Sequence, residues 1–184
     1  EHGREYVTVL GPGQSTPAPW LNVIANPHFG FQVTADGTGY TWAVNSRETQ
    51  LTPWTNDPVS DRAGEAFYLR DEDSGDVWSP TPLPARGANP YVTRHGFGFS
   101  SFGHESLGVG SELTTYVAID APVKMTLVKV VNRSGRRRRL SLTGYCEWVL
   151  GERRPQSLLH VTTEVDMVSG ALFAAARGTG TTAT

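Results

Sequence analysis

The sequence is short of the residues on which several classes of protein depend. It has one cysteine, Cys146, which excludes an internal disulfide, and two lysines among its 16 basic residues. A formal net charge of -2 gives no overall field that would attract nucleic acid or an anionic membrane. No apolar run approaches the roughly 18 residues of a membrane-spanning helix, and no signal peptide pattern is visible. The charge balance argues against nucleic acid as a partner, and we expect a cytoplasmic location.

Motifs for nucleophilic or metal-dependent catalysis are also lacking. No Gly-Xaa-Ser-Xaa-Gly elbow occurs, and Cys146 is expected in or near the core beside Trp148. The five histidines lack metal-ligand spacing. His95 and His104 can approach each other across one hairpin, but no cysteine or carboxylate motif completes a site. We therefore expect satisfied or exposed histidines rather than metal ligands.

Glycine, proline and short apolar segments dominate what is present. With 20 Gly and 12 Pro in 184 residues, the β-branched and aromatic segments are short and end at turn formers. The predicted strands are 4–10, 22–26, 29–34, 39–45, 65–71, 76–80, 91–106, 111–120, 122–132 and 138–151. The first segment that resembles a helix is 169–177, which is short and contains Gly170. This pattern predicts an all-β protein, a large antiparallel sandwich.

The clearest predicted strand pair is 122–132 with 138–151, joined by "RSGRR". In the second strand Leu140, Leu142 and Cys146 fall on one face, which predicts a half-buried strand. The arginine run "SGRRRR" (134–139) is interpreted as a solvated turn rather than a nucleic-acid patch. The acidic stretch "DEDSGD" (71–76) is interpreted as an exposed hairpin turn, because it lacks the spacing of a calcium loop.

The segment "NSRETQLTPWTNDPVSD" (45–61) has neither helical nor strand periodicity. Long irregular loops in compact domains tend to be functional or disordered, and its aromatic residue argues against disorder. Trp54 is the tryptophan most suited to present its ring to a ligand, whereas Trp42, Trp78 and Trp148 lie in strands and are expected in the core. An aromatic ring beside Arg, Asn and Asp side chains suits a sugar site.

Three carboxylates near this loop suggest a further hypothesis. Asp57, Asp61 and Glu65 are each conceivable as the general acid that glycoside chemistry requires. Turn chemistry, with aspartates capping the local backbone, is the favoured interpretation for "NDP". No spacing rule separates catalytic from turn carboxylates, so the sequence assigns no catalytic residue.

The segments 16–61, 64–84, 91–106 and 111–151 together resemble a carbohydrate-phosphorylase family. It groups cellobiose and chitobiose phosphorylases with the phosphorylase-like part of cyclic β-1,2-glucan synthase, and was formerly glycosyltransferase family thirty-six. The motifs "NSRETQLTPWTNDPVSD" and "WSPTPLP" are most similar to the cyclic β-1,2-glucan synthase and β-1,2-oligoglucan phosphorylase branch.

The resemblance implies a galactose-mutarotase-like β-supersandwich that precedes a helical linker and an (α/α)6 barrel. It implies inverting phosphorolysis of a β-glucoside to an α-sugar 1-phosphate, or synthesis of cyclic β-1,2-glucan, with a general acid Asp in the barrel. Inorganic phosphate is then a co-substrate of the parent enzyme, and no cofactor is expected. We expect 1–14 to be a leader segment and 15–184 an incomplete supersandwich, a piece of a longer protein without the helical catalytic domain. We expect the parent to be cytoplasmic or associated with the inner membrane.

From the resemblance we expect the 45–61 loop to border a sugar site that another domain or a homodimer partner completes. Arg47, Trp54, Asn56 and Asp57 are predicted to line this border and contact a β-glucan oligosaccharide. Arg94 and His95 are a second, weaker candidate group for contact with the saccharide. The alternative is that the loop residues only hold the loop against the sandwich.

Two other functions stay open at the level of sequence. One is a stand-alone carbohydrate-binding module without an enzymatic partner, and the other is a self-sufficient glycosidase. A helical linker and barrel encoded after Thr184 would favour the phosphorylase-type parent, whereas a stop codon or an unrelated domain would favour the module. Hydrolysis by the isolated chain that depends on the candidate carboxylates would indicate a glycosidase.

Overall fold

In the computed structural model, which describes residues 3–54 and 62–176, the chain consists almost entirely of β-strands. In chain order the strands are β1 (Glu5–Leu10), β2 (Leu21–Asn26), β3 (Phe29–Thr34), β4 (Gly39–Ala43), β5 (Glu65–Asp71), β6 (Val77–Trp78), β7 (Tyr91–Gly96), β8 (Phe99–Ser106), β9 (Val109–Val117), β10 (Lys124–Asn132), β11 (Leu140–Cys146), β12 (Val161–Val165) and β13 (Leu172–Ala176). Within these ranges the only helix is α1 (Arg154–Ser157). The all-β prediction is confirmed.

The strands of the described ranges form antiparallel sheets of different size. The largest has the order β1-β7-β8-β9-β10, and the smaller ones have the orders β2-β3-β4, β11-β5-β6 and β12-β13. Two-residue turns join β7 to β8 and β8 to β9. In the turn between β8 and β9, Leu107 and Gly108 have φ of 54° and 76°. Such paired positive φ values match the right-handed twist of a two-residue hairpin.

The core lies between the large sheet and the β2-β3-β4 sheet. Ile24 on β2 is directly opposite Phe31 on β3, and both side chains are at most 4% exposed. They pack with Val33 against Phe102 of β8 and Leu113 of β9. Because side chains alternate between the two faces of a strand, each strand contributes every second residue to this layer. Burying one such side chain contributes about 1.5–3 kcal/mol.

A second apolar cluster attaches the β5–β6 hairpin to the large sheet. Leu69 of β5 and Trp78 of β6 pack with Val109 of β9, and Trp78 is 2% exposed. The predicted core position of Trp78 is therefore confirmed. Trp42 and Trp148 are half-buried rather than fully buried.

The predicted pairing of 122–132 with 138–151 is wrong. Strand β10 pairs with β9, and β11 pairs with β5 in another sheet. The "RSGRR" segment therefore carries the chain from one sheet to another instead of closing a hairpin. The predicted apolar face of β11 is also largely uncovered, since Leu142 is 48% exposed and Cys146 is exposed.

One arginine of the "SGRRRR" run is buried, against the expectation of a solvated turn. The guanidinium of Arg138 donates to the fully buried carboxylate of Asp71 and to the carbonyl of Leu107. Arg139 forms an exposed pair with Asp73 at 3.5 Å. The acidic turn and the arginine run thus neutralise each other, and Arg138 ties the β5–β6 hairpin to the β8–β9 turn.

The segment 169–177 contains a strand instead of the predicted helix. Residues Leu172–Ala176 form β13, which pairs with β12 from Val161↔Ala176 to Val165↔Leu172. The Asp166 carboxylate accepts backbone N–H groups of the turn, and Gly170 has a φ of 73°. This turn reverses the chain and commits the alanine-rich segment to cross-strand pairing, which outweighs the helical propensity of alanine.

The start of the chain belongs to the large sheet. Residues 5–10, within the segment assigned to a leader, form β1 and pair with β7 from Glu5↔Gly96 to Leu10↔Tyr91.

Across the described residues, no helix has the length and apolar character needed to cross a membrane.

Candidate functional site

A row of aromatic rings supports the start of the loop that the sequence singles out. Tyr40 on β4 has ring-centroid distances of 5.2 Å to Trp42 and 5.6 Å to Trp54. Rings at such separations attract each other beyond their simple burial. Trp54 is half-buried, so Tyr40 fixes one part of the indole while another part stays accessible.

The accessible part of Trp54 faces a cleft of about 290 Å³. The cleft brings together the loop after β4, the approach to β5 and the segment around α1. Its lining residues are Gln50, Pro53, Trp54, Arg62, Ala63, Gly64, Glu147, Glu152, Arg153, Arg154 and Pro155. An aromatic ring among convergent charged and amide groups is the composition expected of a site for a polar ligand with apolar faces.

Two ion pairs order the charged wall of this cleft. Arg154 donates to Glu147, and Arg153 lies 3.5 Å from Glu152. Backbone bonds between Gln50 and Gly151 join this wall to the Trp54 loop. These wall residues were not predicted from the sequence, because they lie about a hundred positions from Trp54 and only tertiary pairing brings them to the cleft. The cluster "GERRP" (151–155) contains Glu152, Arg153 and Arg154, but nothing in it indicates a contact with Trp54.

Arg47 projects from a separate, well-bonded turn at the end of β4. The side-chain oxygen of Asn45 accepts the N–H groups of Arg47 and Glu48 at 2.8 and 3.0 Å. The hydroxyl of Tyr40 donates to the carbonyl of Ser46 at 3.2 Å. Arg47 itself is exposed. The same tyrosine therefore supports both Trp54 and the turn that carries Arg47.

Three residues of interest lie outside the described ranges. Asn56 and Asp57, predicted to border the sugar site, and Asp61, a candidate carboxylate, fall in 55–61. Their assignments stay predictions.

Glu65, the remaining candidate carboxylate, is held in an ion pair. Its carboxylate accepts from Lys124 and from the hydroxyls of Thr41 and Thr52, both at 2.6 Å. Burial by itself raises the pKa of Glu65, but Lys124 and the two hydroxyls outweigh it and lower the pKa below the ordinary value. A carboxylate kept ionised in this way is a structural anchor and is unsuited to act as a proton donor.

Arg94 and His95 do not form one group. They are adjacent on β7, so their side chains point to opposite faces of the large sheet. Arg94 is exposed and lies 3.4 Å from Glu5, whereas the Nδ1 of His95 is 2.8 Å from the Ser100 hydroxyl. Burial lowers the pKa of His95, so its ring is neutral at pH 7. Neither residue lines the Trp54 cleft.

The histidines that the sequence placed near each other are separated by strand register. His95 is opposite Ser100, while His104 is opposite Tyr91 near the other end of the hairpin. The His104 ring stacks on Tyr91 with centroids 3.7 Å apart. Among the residues that the structure describes, no group of His, Cys, Asp or Glu is arranged to hold a metal ion.

Cys146 lies on β11 opposite Glu65 and is exposed as a residue, against the expectation of a core or near-core position, although its thiol is partly desolvated. Desolvation of the thiol and the nearby Glu65 raise the pKa of Cys146 to about 12. The thiolate is therefore negligible at neutral pH.

Comparison with known proteins now gives the context of this cleft. The family model described as "Glycosyl hydrolase 94, supersandwich domain" matches residues 4–182. Cyclic beta-(1,2)-glucan synthase NdvB of Rhizobium meliloti (strain 1021) is 43% identical over 175 residues, which are 95% of this chain and 6% of that protein. N,N'-diacetylchitobiose phosphorylase of Vibrio furnissii is 30% identical over 148 residues, 79% of this chain and 18% of that protein. Solabiose phosphorylase of Paenibacillus borealis is 27% identical over 153 residues, which are 82% of this chain and 20% of that protein.

The chain spans between 6% and 20% of the length of these three relatives. They include a cyclic glucan synthase and two phosphorylases, which confirms the resemblance on which the sequence analysis relied. The family match covers nearly the whole chain, and the antiparallel sheets agree with a supersandwich. The chain therefore belongs to the glycosyl hydrolase 94 family, as its supersandwich domain.

Proposed function

We propose that this domain is the non-catalytic N-terminal part of an inverting glycoside phosphorylase or glycosyltransferase that acts on β-glucans. In this proposal the domain contributes the Trp54 cleft and the Arg47 turn to the carbohydrate-binding surface. The parent enzyme carries out phosphorolysis of β-glucosides to α-glucose 1-phosphate, or synthesis of cyclic β-1,2-glucan. Inorganic phosphate is a co-substrate of the parent, which requires no cofactor and is cytoplasmic or associated with the inner membrane.

The observation that carries the proposal is the Trp54 cleft itself. The indole is fixed from one side by Tyr40 and remains half-buried, with charged and amide groups converging beside it. The apolar C–H face of a glucosyl ring suits the indole, and the hydroxyls suit Gln50 and the arginine–glutamate pairs. A cleft of about 290 Å³ has room for about one sugar ring, at the lower limit of ordinary ligand sites.

The engagement of the nearby carboxylates supports a non-catalytic role. Glu65 is bound to Lys124, Glu147 to Arg154, and Glu152 lies beside Arg153. Lys124 and the two threonine hydroxyls lower the pKa of Glu65, whereas a general acid needs a proton to donate at working pH. The proton donor then comes from the helical catalytic domain, and the rest of the saccharide site from that domain or a neighbouring subunit of a homodimer.

The test uses the full-length enzyme that carries this domain. Trp54→Ala and Arg47→Ala are each expected to lower kcat/KM on a β-glucan oligosaccharide by about tenfold, which corresponds to about 1.4 kcal/mol of transition-state binding. The matched controls are Trp20→Ala, which removes a partly exposed indole packed on Tyr6, and Arg133→Ala, which removes an exposed arginine paired with Glu105. The controls are expected to keep the wild-type kcat/KM.

Stability has to be measured beside activity, because Trp54 also packs on Tyr40. A lower kcat/KM with an unchanged melting temperature supports the proposal. Wild-type kcat/KM in both Trp54→Ala and Arg47→Ala would reject it, and the loop residues would then serve only to hold the loop against the sandwich.

A further inference from the structure

The turn that carries Arg47 begins with an unusual backbone conformation. Val44 has a φ of 64°. Positive φ is rare for residues other than glycine, and for a β-branched residue it is a true outlier, because the Cβ atom crowds the neighbouring carbonyl. Conformations of this kind persist only where the surrounding structure imposes them, and they are concentrated at functional sites.

The surrounding hydrogen bonds do impose this conformation. The N–H of Asn45 donates to the carbonyl of Ala43 at 2.6 Å, which closes a three-residue turn centred on Val44. The N–H of Val44 itself donates to the carbonyl of His28 at 2.7 Å. Thr49 then closes the larger turn, because its carbonyl accepts the N–H of Ala43 at 3.1 Å.

Packing gives no reason for valine at this position. The Val44 side chain is 77% exposed, so it buries little apolar surface. Glycine would adopt the same φ without the steric cost. Valine and glycine also differ in the range of positive-φ conformations that they can adopt. This range is small for a β-branched residue and wide for glycine. Valine therefore strains the backbone of the turn but restricts it to a narrow range of conformations.

We propose that Val44 is a positioning residue for Arg47, holding the turn at 43–49 in one conformation at the expense of stability. This inference rests on the proposed role of Arg47 in carbohydrate binding. Asn45 transmits the restraint, because it follows Val44 directly and its side chain binds the backbone N–H of Arg47. A guanidinium on a preorganised turn loses less conformational freedom when it binds a ligand, which raises affinity without a new contact.

A double-mutant cycle in the full-length enzyme tests this inference. Val44→Gly is expected to raise the melting temperature and to lower kcat/KM on a β-glucan oligosaccharide by about threefold to tenfold, because glycine relieves the strain and loosens the turn. Arg47→Ala lowers kcat/KM by itself. In the double variant, Val44→Gly is expected to cause no further loss, because its effect requires the Arg47 side chain.

Leu107 provides a matched control at a distant turn. It also has a positive φ, 54°, and is 48% exposed, but it lies between β8 and β9. Leu107→Gly is expected to leave kcat/KM unchanged.

The possible results separate this inference from the proposed function. Wild-type kcat/KM in Arg47→Ala would overturn the role of Arg47 and this inference with it. A reduced kcat/KM in Arg47→Ala combined with wild-type kcat/KM in Val44→Gly would overturn the inference alone. Val44→Gly could also lower kcat/KM by the same factor in the wild type and in Arg47→Ala, which would show that its effect does not depend on Arg47. A loss of kcat/KM from Leu107→Gly as large as that from Val44→Gly would show that the effect is not specific to the Arg47 turn. Either result would overturn the inference.

Discussion

Lys124 links the sheets, and its replacement by methionine is expected to destabilise the domain. The ammonium of Lys124 donates to Glu65 of β5 and lies 3.2 Å from the hydroxyl of Thr41 on β4. It also lies 4.4 Å from the centroid of the Phe31 ring in the core. One lysine of the large sheet thus contacts groups from both three-stranded sheets. Methionine keeps most of the apolar stem and removes the charge together with its hydrogen bonds to Glu65 and Thr41.

The expected cost follows from the burial of the pair. The side chains of Lys124 and Glu65 are each 22% exposed. Removing one partner of a fully buried pair costs about 3–5 kcal/mol, because the other charge is left uncompensated. Water has some access to this pair, which reduces the cost of removing one partner. We therefore expect a loss of about 2–4 kcal/mol in the free energy of unfolding at pH 7.5.

The loss should depend on pH in a defined direction. In the wild type the pKa of Glu65 is below its ordinary value of 4.5, so its stabilising contribution is complete above that pH and is lost as the pH falls through the lower, folded-state pKa. Without Lys124, burial raises the pKa of Glu65, so the carboxyl takes up a proton as the pH falls from neutral. The difference between Lys124→Met and wild type should therefore be smaller at pH 5 than at pH 7.5.

The assay is urea unfolding of the chain, followed by tryptophan fluorescence at both pH values. Adding Glu65→Gln to Lys124→Met should recover most of the stability, because the amide can still bond the Thr41 and Thr52 hydroxyls. The control is Lys129→Met, the other lysine of the chain, which is exposed on β10 opposite Glu112; a change below about 0.5 kcal/mol is expected. A loss for Lys124→Met no larger than for the control would refute the reasoning.

The remaining predictions concern the core, the arginine run and acid stability. Gly30→Ala places a Cβ 2.5 Å from Cζ2 of Trp42, so a loss of about 1–3 kcal/mol is expected in urea unfolding. Asp71→Asn should lower the urea midpoint, because it leaves the buried guanidinium of Arg138 without its carboxylate; an unchanged midpoint would contradict the buried pair. Burial lowers the pKa of His104, so the unfolded chain binds the proton more readily, and stability should fall as the pH drops below about 6.5. His104→Gln should flatten this pH dependence, as measured by melting temperature from pH 7.5 to pH 5.

Local sequence signals were sufficient for most strands and insufficient for their pairing. Strands 29–34 and 65–71 were predicted with the bounds that the structure has, because apolar and turn residues mark both ends. The pairing of β11 with β5 joins residues about 70 to 80 positions apart, and no turn signal encodes such a contact. The same limit explains Arg138, whose burial depends on Asp71 from a distant turn.

The candidate site was likewise found only in part. Trp54 could be selected from the sequence because an indole in an irregular loop has no packing role in a strand. Arg62, Glu147 and Arg154 could not, because charged residues outside a motif are ordinarily solvated and only the fold brings them to the cleft. Arg94 and His95 were predicted as one group, but neighbouring residues of a strand face opposite ways.

The most direct test of the central claim is a structure of the full-length enzyme with a bound β-glucan oligosaccharide. We expect a glucosyl ring stacked on the indole of Trp54, with Arg47 within hydrogen-bonding distance of the saccharide or of phosphate. A fully ordered glucan that contacts neither Trp54 nor Arg47 of any subunit would contradict it.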